Sequence, residues 1–261
     1  MTTKLDINAL FTRATAQGTL SAQSQTLLSG NLGGIIVAGA AGMAAEDIQA
    51  SDVTLVTLLL DASSSIGDRQ LAPAVCEGQK LLLDAFAGSK EKDAVLTALW
   101  TFNHTATVVH GYVPVHDATR LEANKTFKPG GTTHLYDTFI DACAANVAYA
   151  QTLRDTGTPV RSIVVVVTDG EDVGSVRPAR VCKKLAEDLL HSEQFILAFV
   201  GVGKDVDFHK VATSMGFPPG CVLVQKDATP AGLRQAFLMV SMSAVRASQG
   251  RIAPGAHATF F

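Results

Sequence analysis

The chain has 261 residues, of which 47% are hydrophobic and 17% charged, so it can bury a large core and has the size of one or two domains. Its formal net charge is −3 and no long run of basic residues is present, which argues against nucleic acid as a partner. Its four cysteines form no Cys-x-x-Cys pair, so we expect buried thiols in a reducing compartment rather than a zinc site.

Residues 1–51 have the weakest pattern. Residues 1–30 look mostly helical, whereas residues 30–51 are rich in glycine and alanine. We interpret 1–51 as an N-terminal extension that packs on the main domain. No signal peptide is apparent, and the apolar run at 32–45 is shorter than the roughly 20 residues of a membrane helix. A cytoplasmic location without membrane association is therefore expected.

Strands and helices alternate from residue 53 onwards. Two apolar, β-branched runs, VTLVTLLL at 53–60 and IVVVVT at 163–168, are typical of central strands in a parallel sheet. Further strands are predicted at 94–102, 105–109, 195–202 and 221–225. Apolar residues at helical spacing predict helices at 67–87, 134–153, 176–191, 207–215 and 230–247.

This alternation predicts an α/β fold that is doubly wound and Rossmann-like. We expect a mostly parallel sheet with one short antiparallel edge strand and helices on both faces. The domain is assigned to residues 52–248, and 249–261 form a C-terminal tail. In such folds ligands bind at the carboxyl ends of the strands, where the strand order reverses. Asp61 and Asp169 each follow or end one of the two most apolar strands, so they are candidates for one site.

Three segments carry side chains that could hold a metal: DASSS at 61–65, GGTTH at 130–134 and TDGED at 168–172. The candidate ligands are Asp61, Ser63, Ser65, Thr132 and Asp169. All are hard oxygens, which favours Mg²⁺, with Mn²⁺ or Ca²⁺ as alternatives. Mg²⁺ prefers six oxygen ligands and readily keeps waters, so one position is left for the Asp or Glu of a partner.

Together the three segments resemble the metal-ion-dependent adhesion site (MIDAS) of the von Willebrand factor A (vWA) domain, and the resemblance covers about residues 53–247. It implies that Ser63 and Ser65 bind the metal directly, that Thr132 joins when a ligand binds, and that Asp61 and Asp169 often act through water. The chain further resembles bacterial intracellular single-domain members. The partner implied by that resemblance is a protein with an acidic residue, for example an AAA+ ATPase or a component of a stress system.

Several assignments are left open by the sequence. Thr133 competes with Thr132 as the ligand, although Thr132 directly follows the glycine pair. Asp137 and Glu171 are candidates for supporting the ligands from a second layer. Asp and Ser at such turns also serve as helix N-caps, which is the main structural alternative to metal binding.

The function predicted from these residues is that of a protein-binding module rather than an enzyme. A metal-dependent hydrolase is the first alternative, with activated water, or with Ser65 as nucleophile and His134 as base. Against it, only two carboxylates are available and no Gly-x-Ser-x-Gly motif is present. The second alternative is a structural protein that self-associates through the metal.

Overall fold

The computed structural model describes residues 6–261. The first five residues of the predicted N-terminal helical region lie outside this range. The strands are β1 (Val53–Asp61), β2 (Val95–Phe102), β3 (Ala106–Pro114), β4 (Val160–Thr168), β5 (Phe195–Val202) and β6 (Val222–Gln225). The helices are α1 (Ile7–Ala16), α2 (Ala22–Ser29), α3 (Gly34–Gly39), α4 (Ser64–Asp68), α5 (Ala72–Ala87), α6 (Leu135–Asp155), α7 (Ala179–His191), α8 (Phe208–Met215) and α9 (Pro230–Ser248).

The six strands form one sheet in the order β3-β2-β1-β4-β5-β6. All neighbouring pairs are parallel except β2 and β3, which confirms the predicted α/β fold with one antiparallel edge strand. Every residue of β1 is buried, as expected for a strand covered on both faces.

The strand order reverses between β1 and β4. From β1 the chain moves outward to β2 and β3, and from β4 it moves in the opposite direction to β5 and β6. β1 and β4 are in parallel register, with Leu60 beside Val167, so their carboxyl ends lie side by side. This is the point at which doubly wound sheets form their binding crevice.

Apolar side chains fill the space on both faces of the sheet. On one face α5 packs against α9 so closely that a Cβ atom on Gly78 would collide with the ring of Phe237. On the other face α6 is buried along most of its length and packs with α7 and α8. None of the helices within residues 6–261 combines the length and the hydrophobicity needed to cross a bilayer.

The N-terminal segment packs on the domain at several places, among them α6 and the edge strand β3. Phe11 of α1 is fully buried among residues of α6. Residues 41–43 run along the edge strand, where Tyr112 N donates to Ala41 O at 2.8 Å and Met43 N donates to Tyr112 O at 2.9 Å. The segment therefore covers part of an otherwise unpaired sheet edge.

Local differences from the sequence predictions have simple physical causes. The helix predicted at 67–87 is divided into α4 and α5, because the turn between them holds Gln70 at a φ of 56°, outside the helical region. The edge strand predicted at 105–109 extends as β3 to Pro114. After α9 the chain has no regular element, yet Phe260 is fully buried and its backbone N–H bonds to Gly220 O at 2.8 Å.

Candidate metal centre

The first site loop starts at the end of β1. Asp61 is only 2% exposed and accepts a hydrogen bond from the backbone N–H of Ser63 at 2.7 Å. Ser63 is the N-cap residue of α4, but its hydroxyl makes no capping bond. Instead, the Oγ atoms of Ser63 and Ser65 lie 3.0 Å apart. The hydroxyls therefore point towards each other, and helix capping does not explain Ser63.

The second carboxylate stands at the end of β4. Asp169 is 3% exposed, and the hydroxyl of Ser65 donates to its Oδ1 at 2.7 Å. Thr168, the last residue of β4, donates from its hydroxyl to Oδ2 of Asp61 at 2.5 Å. The ends of β1 and β4 are thus joined by two hydroxyl–carboxylate bonds, and four of the five predicted ligands lie together.

Burial makes both carboxylates unfavourable as isolated anions. It raises the pKa of Asp61 from 3.8 to about 6, against the opposing effect of the hydrogen bonds from Thr168 and Ser63. The negative charge of Asp169 adds to this rise. Burial likewise raises the pKa of Asp169, although Ser65 and the guanidinium of Arg69 oppose it. A bound cation would favour the ionised form of both groups.

The donor set fits a small hard cation. Octahedral coordination at 2.0–2.1 Å places neighbouring oxygens about 3.0 Å apart. The Ser63–Ser65 separation of 3.0 Å and the Ser65–Asp169 separation of 2.7 Å are close to that spacing. Across residues 6–261 no cluster of three His, Cys, Asp or Glu residues offers an alternative metal site. The four cysteines are buried as predicted: Cys76, Cys143, Cys182 and Cys221.

The glycine pair holds a third loop against the first. Gly130 N donates to Ala62 O at 2.8 Å, and Ser64 binds Gly131 O through both its N–H at 3.0 Å and its hydroxyl at 2.8 Å. Gly131 has a φ of 82°, where glycine is favoured. Asn103 also supports the loop, because its side-chain amide donates to Gly130 O at 2.6 Å.

The two threonines after the glycines have different surroundings. Thr132 is exposed, and its side chain makes no hydrogen bond within the described part of the chain. Thr133 is 5% exposed, and its Oγ1 would be 3.8 Å from a Cβ atom on Gly170, next to Asp169. The side chain of Thr132 is therefore open to solvent, whereas that of Thr133 is enclosed.

The two residues predicted to support the site have separate positions. Asp137 accepts hydrogen bonds from Val176 N at 2.8 Å and from Nε of Arg177 at 2.6 Å. It therefore fixes the loop that follows Asp169 rather than contacting a ligand side chain. Glu171 is exposed and makes no hydrogen bond with any described residue.

Three supporting residues were not predicted from the sequence. They are Arg69, Asn103 and Thr168. Thr168 could have been found from its place at a strand end beside Asp169, whereas Asn103 and Arg69 carry no motif. Arg69 donates from Nη1 to Oδ2 of Asp169 at 3.3 Å, and this brings a positive charge to the edge of the site.

Comparison with known families supports the assignment of the fold. The family model "von Willebrand factor type A domain" matches residues 56–235, which is more than half of the chain. Comparison with curated protein sequences gives no match.

Solved structures share the fold at low sequence identity. Proximal thread matrix protein 1 from the mussel byssus is 18% identical with a TM-score of 0.51, over 74% of this chain and 46% of that protein. Another structure of the mussel protein, with a zinc-occupied MIDAS motif, has a TM-score of 0.50 at 17% identity, with the same coverage. The pilus adhesin SpaC from Lactobacillus rhamnosus GG is 16% identical with a TM-score of 0.53, over 75% of this chain and 30% of the adhesin. The chain thus spans less than half of each of these proteins.

Proposed function

Because the chain belongs to the von Willebrand factor type A domain family, we propose that it is a metal-dependent protein-binding module. In this proposal Asp61, Ser63, Ser65 and Asp169 hold a divalent cation, and Thr132 contributes when a partner binds. The partner supplies the carboxylate of an Asp or Glu as a further ligand. The observation that carries the proposal is the meeting of two hydroxyls and a buried carboxylate within 3.0 Å at the ends of β1 and β4.

Mg²⁺ is the cation that we propose. The ligands are hard oxygens, which Mg²⁺ prefers, and the side chains of Ser63, Ser65 and Asp169 lie close enough together to share one cation. Mn²⁺ has the same preferences, and Ca²⁺ needs longer bonds. The mussel structure with zinc in its MIDAS makes Zn²⁺ a necessary arm of any binding test.

The surroundings of the site favour a protein as the ligand. Val173 and Val176, on the loop after Asp169, have 66% and 90% of their surface exposed. The loop is held in place, because Val173 N donates to Thr133 O at 2.9 Å and Asp137 binds the backbone at Val176. In this proposal the two valines add apolar contacts to a protein ligand whose carboxylate binds at the centre.

We further propose that the site binds without catalysis. The hydroxyl of Ser65 donates to Asp169 and lies beside that of Ser63, and among the described residues it makes no hydrogen bond to His134, the base of the alternative mechanism. The ring of His134 instead packs against Gly174, so closely that a Cβ atom on Gly174 would collide with the ring. The partner as an AAA+ ATPase or stress-system component, the bacterial origin and the cytoplasmic location stay predictions.

Metal titration followed by affinity capture tests this function. In isothermal titration calorimetry, with Zn²⁺ as the comparison ion, we expect Mg²⁺ and Mn²⁺ to bind the wild-type chain and the substitutions Asp61→Ala and Asp169→Ala to abolish this binding. The same variants should lose partners captured in Mg²⁺, as should the wild-type chain in EDTA. Asp68→Asn is the matched control, since Asp68 is an exposed carboxylate at the end of α4, three residues after Ser65. Capture that is unchanged in both alanine variants would exclude the proposal.

A further inference from the structure

Arg69 connects the candidate metal centre to a third strand end. It follows α4, and its Nη1 donates to Oδ2 of Asp169 at 3.3 Å. Its Nη2 donates to Oδ2 of Asp205, beyond the end of β5, at 3.1 Å. The side chain of Asp169 is fully buried, whereas that of Asp205 is 68% exposed. The guanidinium therefore lies between an enclosed carboxylate and one in contact with solvent.

The backbone of the β5 loop leaves room for this arrangement. Gly203 adopts a φ of 125°, which side chains other than glycine rarely accept. A Cβ atom at that position would be 3.2 Å from Nη1 of Arg69, closer than an ordinary contact. A glycine at the strand end thus lets the guanidinium reach Asp169.

The charges at the site do not cancel once a cation is bound. Asp61 and Asp169 together carry two negative charges, which balance a divalent ion. Arg69 adds one positive charge within hydrogen-bonding distance of Asp169. Asp205 offsets that charge only in part, because it is mostly exposed and solvent screens it. Among these groups, a partial excess of positive charge would therefore remain beside Asp169 in the metal-loaded centre.

We propose that Arg69 is a specificity-determining residue, which makes the metal-loaded centre select an anionic carboxylate over a neutral ligand such as an amide. This inference rests on the proposed function and specifies the ligand of the same site. The excess positive charge weakens the binding of the cation and strengthens the binding of the carboxylate. If Arg69 had only a structural role, its loss would instead weaken the binding of both the cation and the carboxylate.

Mn²⁺ alone, and then acetate and acetamide, are the probes for this test. Free Mn²⁺ is measured by electron paramagnetic resonance on the full chain, and ligand addition is followed by water-proton relaxation of bound Mn²⁺. For Arg69→Gln we expect Mn²⁺ to bind roughly tenfold tighter and acetate roughly tenfold weaker, with acetamide unchanged. Arg69→Lys retains the positive charge, so its affinities for Mn²⁺ and for acetate should be close to those of the wild-type chain. Asp205→Asn leaves Arg69 in place and should strengthen acetate binding.

The outcomes separate this inference from the proposed function. If the wild-type chain binds no Mn²⁺, or if Asp61→Ala binds it equally well, the proposed function fails. If the wild-type chain binds Mn²⁺ and acetate but Arg69→Gln has the wild-type preference for acetate over acetamide, only the inference fails. A joint loss of Mn²⁺ and acetate in a folded Arg69→Gln protein also overturns it. Should Arg69→Gln not fold, unchanged or weaker acetate binding by Asp205→Asn overturns the proposal.

Discussion

Replacing Asp61 by Asn tests whether the ionised carboxylate of Asp61 destabilises the native state when no metal is bound. The amide has nearly the same shape and can still accept the hydrogen bond from Ser63 N. Burial raises the pKa of Asp61 from 3.8 to about 6, a rise of about two pH units at about 1.4 kcal/mol each. Without metal at pH 7.5 the ionised carboxylate therefore destabilises the native state by about 3 kcal/mol. The amide NH₂ group that replaces Oδ2 cannot accept the hydrogen bond that Thr168 donates, so part of this gain is lost and we expect Asp61→Asn to be more stable by about 1–3 kcal/mol.

Thermal unfolding followed by circular dichroism measures this gain. In EDTA at pH 7.5 the melting temperature of Asp61→Asn should exceed that of the wild type by roughly 2–10 °C. The native carboxyl binds its proton below about pH 6 and the unfolded one only below about 3.8, so wild-type stability rises as the pH falls through this window. The advantage of the variant should therefore vanish near pH 4. Saturating Mg²⁺ should reverse the order, since only the wild type binds it.

Two results would refute this reasoning. One is a lower melting temperature for Asp61→Asn in EDTA at pH 7.5. The other is an advantage that stays constant from pH 4 to pH 7.5, which would show that the carboxylate charge is not its cause. Asp68→Asn controls for the general effect of removing a carboxylate, because Asp68 is exposed at the end of α4.

Three further predictions concern the residues around the site and the N-terminal segment. Thr132→Ala should leave the melting temperature unchanged and weaken carboxylate binding to the Mn²⁺-loaded chain, whereas Thr133→Ala should lower the melting temperature; the opposite pattern would make Thr133 the ligand. Arg177→Ala should cost about 3 kcal/mol in urea unfolding, because two carboxylates at 2.6 and 2.7 Å lose their partly buried partner; a loss below about 1 kcal/mol would contradict this. Gly39→Ala should destabilise the native state by about 1–3 kcal/mol, because its Cβ atom would lie 2.0 Å from an indole carbon of Trp100. Gly34→Ala is the control and should have no such effect, because a Cβ atom there meets open space. Equal effects of the two substitutions would show that the N-terminal segment does not pack as described.

The central part of the fold was predictable from the sequence because burial on both faces leaves a simple pattern. β1 and β4 are buried along almost their whole length, and each contains an apolar, β-branched run that leads to an aspartate. The N-terminal segment was less predictable, because its packing depends on small residues. Gly39 and Gly42 allow the chain to approach Trp100 and Tyr149 closely, and glycine has no apolar periodicity to detect.

The candidate ligands and their supporting residues differ in what makes them visible in a sequence. The ligands stand at the carboxyl ends of adjacent parallel strands, and the topology alone brings Asp61 and Asp169 together although they are 108 residues apart, from 61 to 169. Arg69 has no such constraint. Its contact with Asp169 needs a long side chain, a turn after α4 that points it across the strand ends, and a glycine at position 203 that leaves space. Each of these is a property of loops, so the charge balance that decides which ligand the centre prefers follows only from the three-dimensional structure.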